Sequence, residues 1–218
     1  ALLRTNAVLF VLDPKNADLA DLQAVMPDVY YKKEDMLACI DRFYEEMMKR
    51  SEDMKLMENY RTGENYAYLG LPAHFLIFDE YVAFFEMLGT KESVGLLSQL
   101  KKIVMLGRQA GYFLIVACQR PDAKYFSDGI RDNFNFRVGL GRISELGYGM
   151  LFGSDVKNQF FQKRIKGRGY CDVGTSVISE FYTPLVPKGH DFLQTIGSLA
   201  QARQDGTATC EAKGDGTD

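Results

Sequence analysis

A chain of 218 residues is long enough for one or two domains with a real hydrophobic core. With 46% hydrophobic and 25% charged residues it has the composition of an ordinary folded protein, which excludes a disordered chain, a collagen-like repeat and a small disulfide scaffold. Lys and Arg total 26 against 29 Asp and Glu, so the net charge of -3 sets up no overall field for DNA or an anionic membrane, and any polyanion site must be local.

The first apolar run, residues 7–12 (Ala-Val-Leu-Phe-Val-Leu), is short, contains β-branched residues and stops at Asp13 and Pro14, which predicts a fully buried strand. Over residues 33–57, Met36, Ile40, Phe43 and Met47 recur at three- and four-residue intervals among charged residues, the pattern of an amphipathic helix on the outside of a sheet. Residues 60–72 mix Gly, Asn and Tyr without periodicity and read as a functional loop. His74-Phe-Leu-Ile-Phe, ending in Asp79 and Glu80, predicts a second buried strand, and helical spacing then continues through Ser98, Leu100 and Met105 to Gly107. Residues 112–118 form a third strand ending at Gln119-Arg120-Pro121, and residues 136–140 a fourth core strand. Strands alternating with helices imply an α/β fold with a mostly parallel sheet covered on both faces. Residues 169–173 and 178–182, on either side of Gly174-Thr-Ser, predict a hairpin at the edge of that sheet. After Leu199 the composition turns to Gly, Thr, Asp and Ala, so residues 1–198 read as the domain and 199–218 as a polar, flexible tail.

No apolar run approaches the roughly 20 residues that span a bilayer. Cys39, Cys118, Cys171 and Cys210 are widely separated, which favours reduced thiols, and with only His74 and His190 there is no cluster for a zinc site.

Ligands of an open parallel sheet gather at the carboxyl ends of its strands. Three predicted strands end there in polar groups: Asp13, the pair Asp79 and Glu80, and Gln119. A buried strand ending in Asp-Glu suits magnesium-dependent nucleotide hydrolysis, because the first carboxylate can hold the metal's water shell while the second positions or deprotonates the attacking water. The same two residues could instead cap the following helix, where acidic groups favour the positive end of the dipole.

Arg108-Gln-Ala-Gly111 followed by Tyr-Phe-Leu-Ile-Val-Ala-Cys-Gln119-Arg-Pro closely resembles the FtsK/SpoIIIE family of DNA-pumping ATPases, in which an Arg-x-x-Gly turn leads into a strand ending Thr-Gln-Arg-Pro; Cys118 here replaces the Thr. The resemblance takes in Val11-Leu-Asp-Pro-Lys15, Phe75-Leu-Ile-Phe-Asp79-Glu80 and Gly129-Ile-Arg-Asp-Asn-Phe134, and runs in order and spacing over residues 8–187. Gly167-Arg-Gly-Tyr and Glu180-Phe-Tyr-Thr-Pro184 look most like the coupling-type members carried by conjugative elements. The resemblance implies a RecA-like P-loop NTPase fold, a hexameric ring around DNA, and ATP with Mg2+ as cofactors. At matched positions Asp79 would be the magnesium carboxylate, acting through water, with Asp13 beside it in the nucleotide-binding set. Glu80 would be the catalytic base, Gln119 the γ-phosphate sensor, and Arg108 an arginine finger on the neighbouring subunit's nucleotide. Arg131 and Arg137 are further candidates for that interface. The plainer readings are a strand-end hydrogen bonder for Gln119 and a solvated helix-end cation for Arg108.

The sequence departs from the family at one point. A P-loop needs Gly-x-x-x-x-Gly-Lys-Ser/Thr to cradle phosphates, and no Gly-Lys dipeptide occurs here. Ala1-Leu-Leu-Arg-Thr looks like the last turn of the helix that follows that loop in the family, and there is no initiator Met. The expectation is a partial motor domain, inactive alone, whose whole protein supplies a P-loop and membrane helices upstream: a cytoplasmic domain of a membrane-anchored bacterial protein.

For DNA, Lys157, Lys163, Arg164, Lys166 and Arg168 form the densest basic cluster, interleaved with Phe160 and Phe161. A solvated basic face with core aromatics is the plainer reading. Residues 60–71 and 122–129 are candidate pore loops, the first richer in stackable side chains. Such gripping is independent of base sequence. Transfer-channel or relaxase proteins are the further partners implied. Two other readings remain open: a non-catalytic RecA-like platform for oligomerisation or docking, and a hexameric helicase of similar fold.

Overall fold

The computed structural model describes residues 1–121, 124–126, 128–153, 156, 160, 165–175 and 177–205. In chain order its elements are β1 (Val8–Leu12), β2 (Val29–Tyr30), α1 (Lys33–Asp53), β3 (His74–Phe78), α2 (Tyr81–Glu86), α3 (Thr90–Ala110), β4 (Tyr112–Val116), α4 (Asp128–Arg131), β5 (Arg137–Leu140), α5 (Glu145–Phe152), β6 (Arg168–Asp172), β7 (Ile178–Tyr182) and α6 (Phe192–Gln204), with short 3-10 segments at Leu2–Arg4, Ala20–Ala24 and Met54–Leu56. They divide into two units. One holds Ala1–Asp79, Gly107–Val116 and the described residues from Asp191 onward; the other holds Glu80–Leu106 and Ala117–His190.

In the first unit, β2, β1, β3 and β4 form a wholly parallel sheet in that order. Phe10 lies opposite Leu76, and Leu76 opposite Leu114. These strands read as continuous apolar runs because both faces are covered. On one face α1 buries Met36, Cys39, Ile40, Phe43 and Met47, with the Phe43 ring edge-on to Phe10 at 5.3 Å and to Tyr112 at 4.9 Å. On the other, Val11 and Ile77 pack with Leu22 and with Leu193 and Ile196 of α6. The helix expected over residues 33–57 is α1 to Asp53 followed by the 3-10 turn Met54–Leu56, and the three expected buried strands are β1, β3 and β4, the last ending at Val116. Strand β2 is too short for any periodicity to show, yet its segment is bonded to β1: Val11 N donates to Asp28 O at 2.8 Å and Asp13 N to Tyr30 O at 2.9 Å.

Helix α6 runs past Leu199 to Gln204, buries Ala200, and sends Arg203 back to donate to the carbonyls of Ala7 and Asn6. Composition alone hid this, since one buried alanine and one reaching arginine suffice to anchor the last turn. Residues 206–218 lie outside the described residues.

In the second unit the helical spacing after Glu80 is broken at Gly89, whose N–H donates to Glu92 Oε2 at 2.8 Å and so starts α3 as a separate helix. Two strand expectations are corrected here. Residues 137–140 are not a fourth strand of the parallel sheet, and the hairpin of β6 and β7 does not sit at that sheet's edge. Instead β5, β6 and β7 make their own antiparallel sheet, with Val138 opposite Cys171 and Tyr170 opposite Glu180. It buries one side, since three of the five residues of β7 are exposed, and an antiparallel sheet tolerates a wet face. Its close β5–β6 approach requires Gly169, where a Cβ would fall 1.8 Å from Gly139 O. Tyr148, Phe152 and Tyr170 form its core with Phe160, Ile143 and Ile178.

Candidate nucleotide site

Within the first unit, Asp13 follows β1 and is fully buried. Its Oδ1 accepts from Lys15 N at 3.1 Å and its Oδ2 from Ala17 N at 2.8 Å and Ala20 N at 3.0 Å, so the carboxylate itself folds the turn after the strand. Asp79 N donates to Leu12 O at 2.9 Å, extending the β1–β3 ladder by one bond. Both aspartates therefore leave the sheet at the carboxyl ends of adjacent strands, where α/β sheets bind ligands. Among the described residues no group of three or more His, Cys, Asp or Glu side chains could enclose a metal. A half-buried Asp79 suits Mg2+, which keeps most of its waters and takes one or two carboxylates plus substrate phosphates.

Within the second unit, Glu80 has φ 44° and ψ 46°, a left-handed conformation that an ordinary side chain adopts at a cost. It stands at the N-cap of α2, but its side chain makes no capping hydrogen bond. The carboxylate instead accepts from Gln119 Nε2 at 3.0 Å. The pairing follows from the backbone: Tyr81 N donates to Ala117 O at 3.0 Å, which lays the start of α2 against the segment after β4. Next to Gln119, burial first and then the charge of Glu80 push the Cys118 thiol up to about 11, so it is neutral at pH 7. Tyr81 is buried, donates to Tyr125 O at 3.2 Å, and has its hydroxyl pKa raised by burial and, less, by Cys118.

Arg108 lies exposed in the last turn of α3. Glycines flank it for steric reasons. A Cβ on Gly107 would be 2.2 Å from Tyr112 O, and Gly111, at φ 81°, would drive one into the Tyr66 ring at 2.5 Å. The same end of the sheet holds a group that the spacing did not single out. Arg50 donates to Pro72 O at 2.8 Å and Ala110 O at 3.4 Å, lies 2.7 Å from His74 Nε2, and stacks over Tyr112 at 4.7 Å. A histidine inside an apolar strand was the only signal for it. Burial and then the Arg50 charge pull His74 down to about 4, so the ring is neutral.

Of the basic cluster, Lys157, Lys163 and Arg164 lie outside the described residues, as does Phe161. Lys166 and Arg168 are exposed, with Arg168 over the Tyr182 ring at 5.0 Å. Phe160 stacks on Tyr148 at 4.5 Å and is a core residue. Residues 122–129 are described only in part; within them Tyr125 is buried and Phe126 packs on Tyr81 at 4.7 Å. In residues 60–71, exposed Arg61 lies over the ring of Tyr68 at 5.6 Å. Arg137 donates to Phe134 O at 2.8 Å and Leu151 O at 3.2 Å, while Arg131 pairs with Asp132 at 3.4 Å.

A parallel α/β sheet with acidic strand ends is the architecture of P-loop ATPase domains, and solved structures of that class carry the same fold. No family model matches the chain. It is 54% identical over 209 residues to the FtsK domain-containing protein YdcQ of Bacillus subtilis (strain 168), covering 95% of this chain and 43% of that protein. The chain thus spans less than half the length of that curated relative. Its fold resembles the pCW3 conjugation coupling protein TcpA, solved in a monomer form with ATPγS, with a TM-score of 0.74 and 18% identity over 90% of this chain and 58% of the other. It also resembles the cytoplasmic domain of the type VII secretion ATPase EccC of Thermomonospora curvata, with a TM-score of 0.61 and 19% identity over 91% of this chain and 24% of the other. The resemblance to FtsK-domain proteins read from the sequence therefore holds. Among the described residues no helix is long and apolar enough to cross a membrane.

Proposed function

We propose that the whole protein is an ATP-driven motor of the FtsK/SpoIIIE kind that moves DNA without reading its sequence, in conjugative transfer or chromosome segregation. Its working state is a homo-hexameric ring, held at a membrane by a part outside these 218 residues and docked to transfer-channel or relaxase proteins. Similarity to an FtsK-domain protein and to a conjugation coupling protein supports this reading.

The observation that carries it is Glu80. Its carboxylate, on a strained backbone, makes no cap to α2 and meets the amide of Gln119, the arrangement expected of a base and a γ-phosphate sensor and not of a helix cap. Asp79 would hold Mg2+ through water, which neutralises charge on the transferring phosphoryl group, and Arg108 would reach the nucleotide of the next subunit. Asp13, saturated by three backbone donors, would shape the nucleotide-side turn. The phosphate cradle must be supplied from outside these residues, because Gly-Lys does not occur in them. Lys163, Arg164, Lys166 and Arg168 would contribute backbone contacts to DNA.

The test is the ATPase rate of the whole protein with and without DNA. Glu80→Gln should keep ATP bound while turnover falls by about 10²–10⁴-fold. Arg108→Ala should lose hydrolysis and recover part of it in rings mixed with Glu80→Gln subunits. An unimpaired Glu80→Gln rate removes Glu80 from the mechanism. A whole protein that neither binds nor hydrolyses ATP makes the fold a docking platform.

A further inference from the structure

The loop of residues 60–71 is not loosely attached. Tyr66 N donates to Gln109 O at 3.0 Å, and Gln109 Nε2 returns the contact by donating to Glu64 O. The Tyr66 ring covers Gly111 so closely that a Cβ there would be 2.5 Å from it, and it meets Phe113 edge-on at 5.9 Å. On its other side, Tyr66 O accepts from Leu69 N at 3.2 Å and Leu71 N at 3.0 Å, which folds the distal half of the loop back onto the same residue. Gly111 O accepts in turn from His74 N at 2.7 Å, so the turn is tied to the start of β3.

Tyr66 thus links two segments that each carry an exposed cation. In one direction the loop presents Arg61 over Tyr68, a planar cation on an aromatic face that suits a phosphate backbone. In the other, Gln109 is the covalent neighbour of Arg108. All of Tyr66's partners lie within the first unit. From these contacts, and resting on the motor reading above, we infer that Tyr66 is a positioning residue that couples occupancy of the 60–71 loop by a nucleic-acid backbone to the placement of Arg108. Movement of the loop tip is passed through the Tyr66 backbone to the last turn of α3, with left-handed Gly111 as the hinge that lets that turn move against β4. Tyr66 itself faces Gly111 and Phe113, so its side chain transmits and the loop tip makes the contact.

The experiment uses the whole protein and a double-stranded DNA fragment, and reads the ratio of DNA-stimulated to DNA-free ATPase kcat together with the KM for ATP and the DNA affinity. In Tyr66→Ala the ratio should fall to about 1, with KM and DNA affinity within about twofold of wild type, because a coupling term has been lost and not a binding one. Tyr66→Phe, which keeps the ring over Gly111, should keep the ratio. Gln109→Ala, which removes only the side-chain bond to Glu64, should lower it in part and decides the matter if Tyr66→Ala does not fold. A wild-type ratio in Tyr66→Ala or in Gln109→Ala overturns the coupling alone, and so does a Tyr66→Phe variant that loses as much as Tyr66→Ala. A wild-type protein whose ATPase ignores DNA overturns the motor reading and this coupling with it.

Discussion

Asp13 opens the turn after β1 and Glu80 is the second residue of the turn after β3, and the two carboxylates are held differently. Asp13 is fully buried and shared among three backbone N–H groups, so its charge is spent on holding the chain. Glu80 sits on left-handed backbone and meets the side-chain amide of Gln119. Asp13 is thus held by backbone donors, whereas Glu80 meets a side-chain donor and stands on a strained residue.

That contrast can be broken. Asp13→Ala leaves three backbone donors without their acceptor and should cost about 3 kcal/mol or more, read as a lower urea midpoint; a loss under about 1 kcal/mol would mean the turn is held otherwise. His74 tests the committed kind at the other end of the sheet. Its folded pKa of about 4 lies below the ordinary 6.5, so the unfolded chain takes up a proton first as pH falls. The stability it contributes is therefore whole above about pH 6.5 and is lost on the way down to about 4, at a slope of at most about 1.4 kcal/mol per pH unit. His74→Phe should flatten that part of the pH–stability curve, and a curve unchanged by it would show that the ring does not titrate as described. Smallest is Glu80→Gly. Relief of the left-handed conformation should raise stability by about 1 kcal/mol while turnover disappears, and a destabilised variant would show that Glu80 is structural after all.

The β1 run is apolar from end to end and the β3 run is apolar after His74, so their burial, and hence the polar residues just beyond them, are visible in the sequence. Residues 137–140, Arg-Val-Gly-Leu, are too short and mixed for any local feature to distinguish a parallel partner from the antiparallel ladder with β6 that they form. Phe160 looked interleaved with lysines and arginines, and its ring belongs to the core with Tyr148. In α6 the anchoring contact joins Arg203 to Asn6 and Ala7, nearly the full chain away in sequence.

By itself the sequence determined the alternation of buried strands and amphipathic helices, the acidic strand end at Asp79 and Glu80, and the family likeness carried by the order of its motifs. These are local or collinear properties: apolar periodicity reports burial, and motif order survives in one dimension. The tertiary structure alone decided which strands share a sheet, that Glu80 faces Gln119 and leaves α2 uncapped, and that Tyr66 clamps the turn beside Arg108. Each of those depends on a hydrogen bond or ring contact between residues tens of positions apart, and such pairings are selected by the packing of the whole chain.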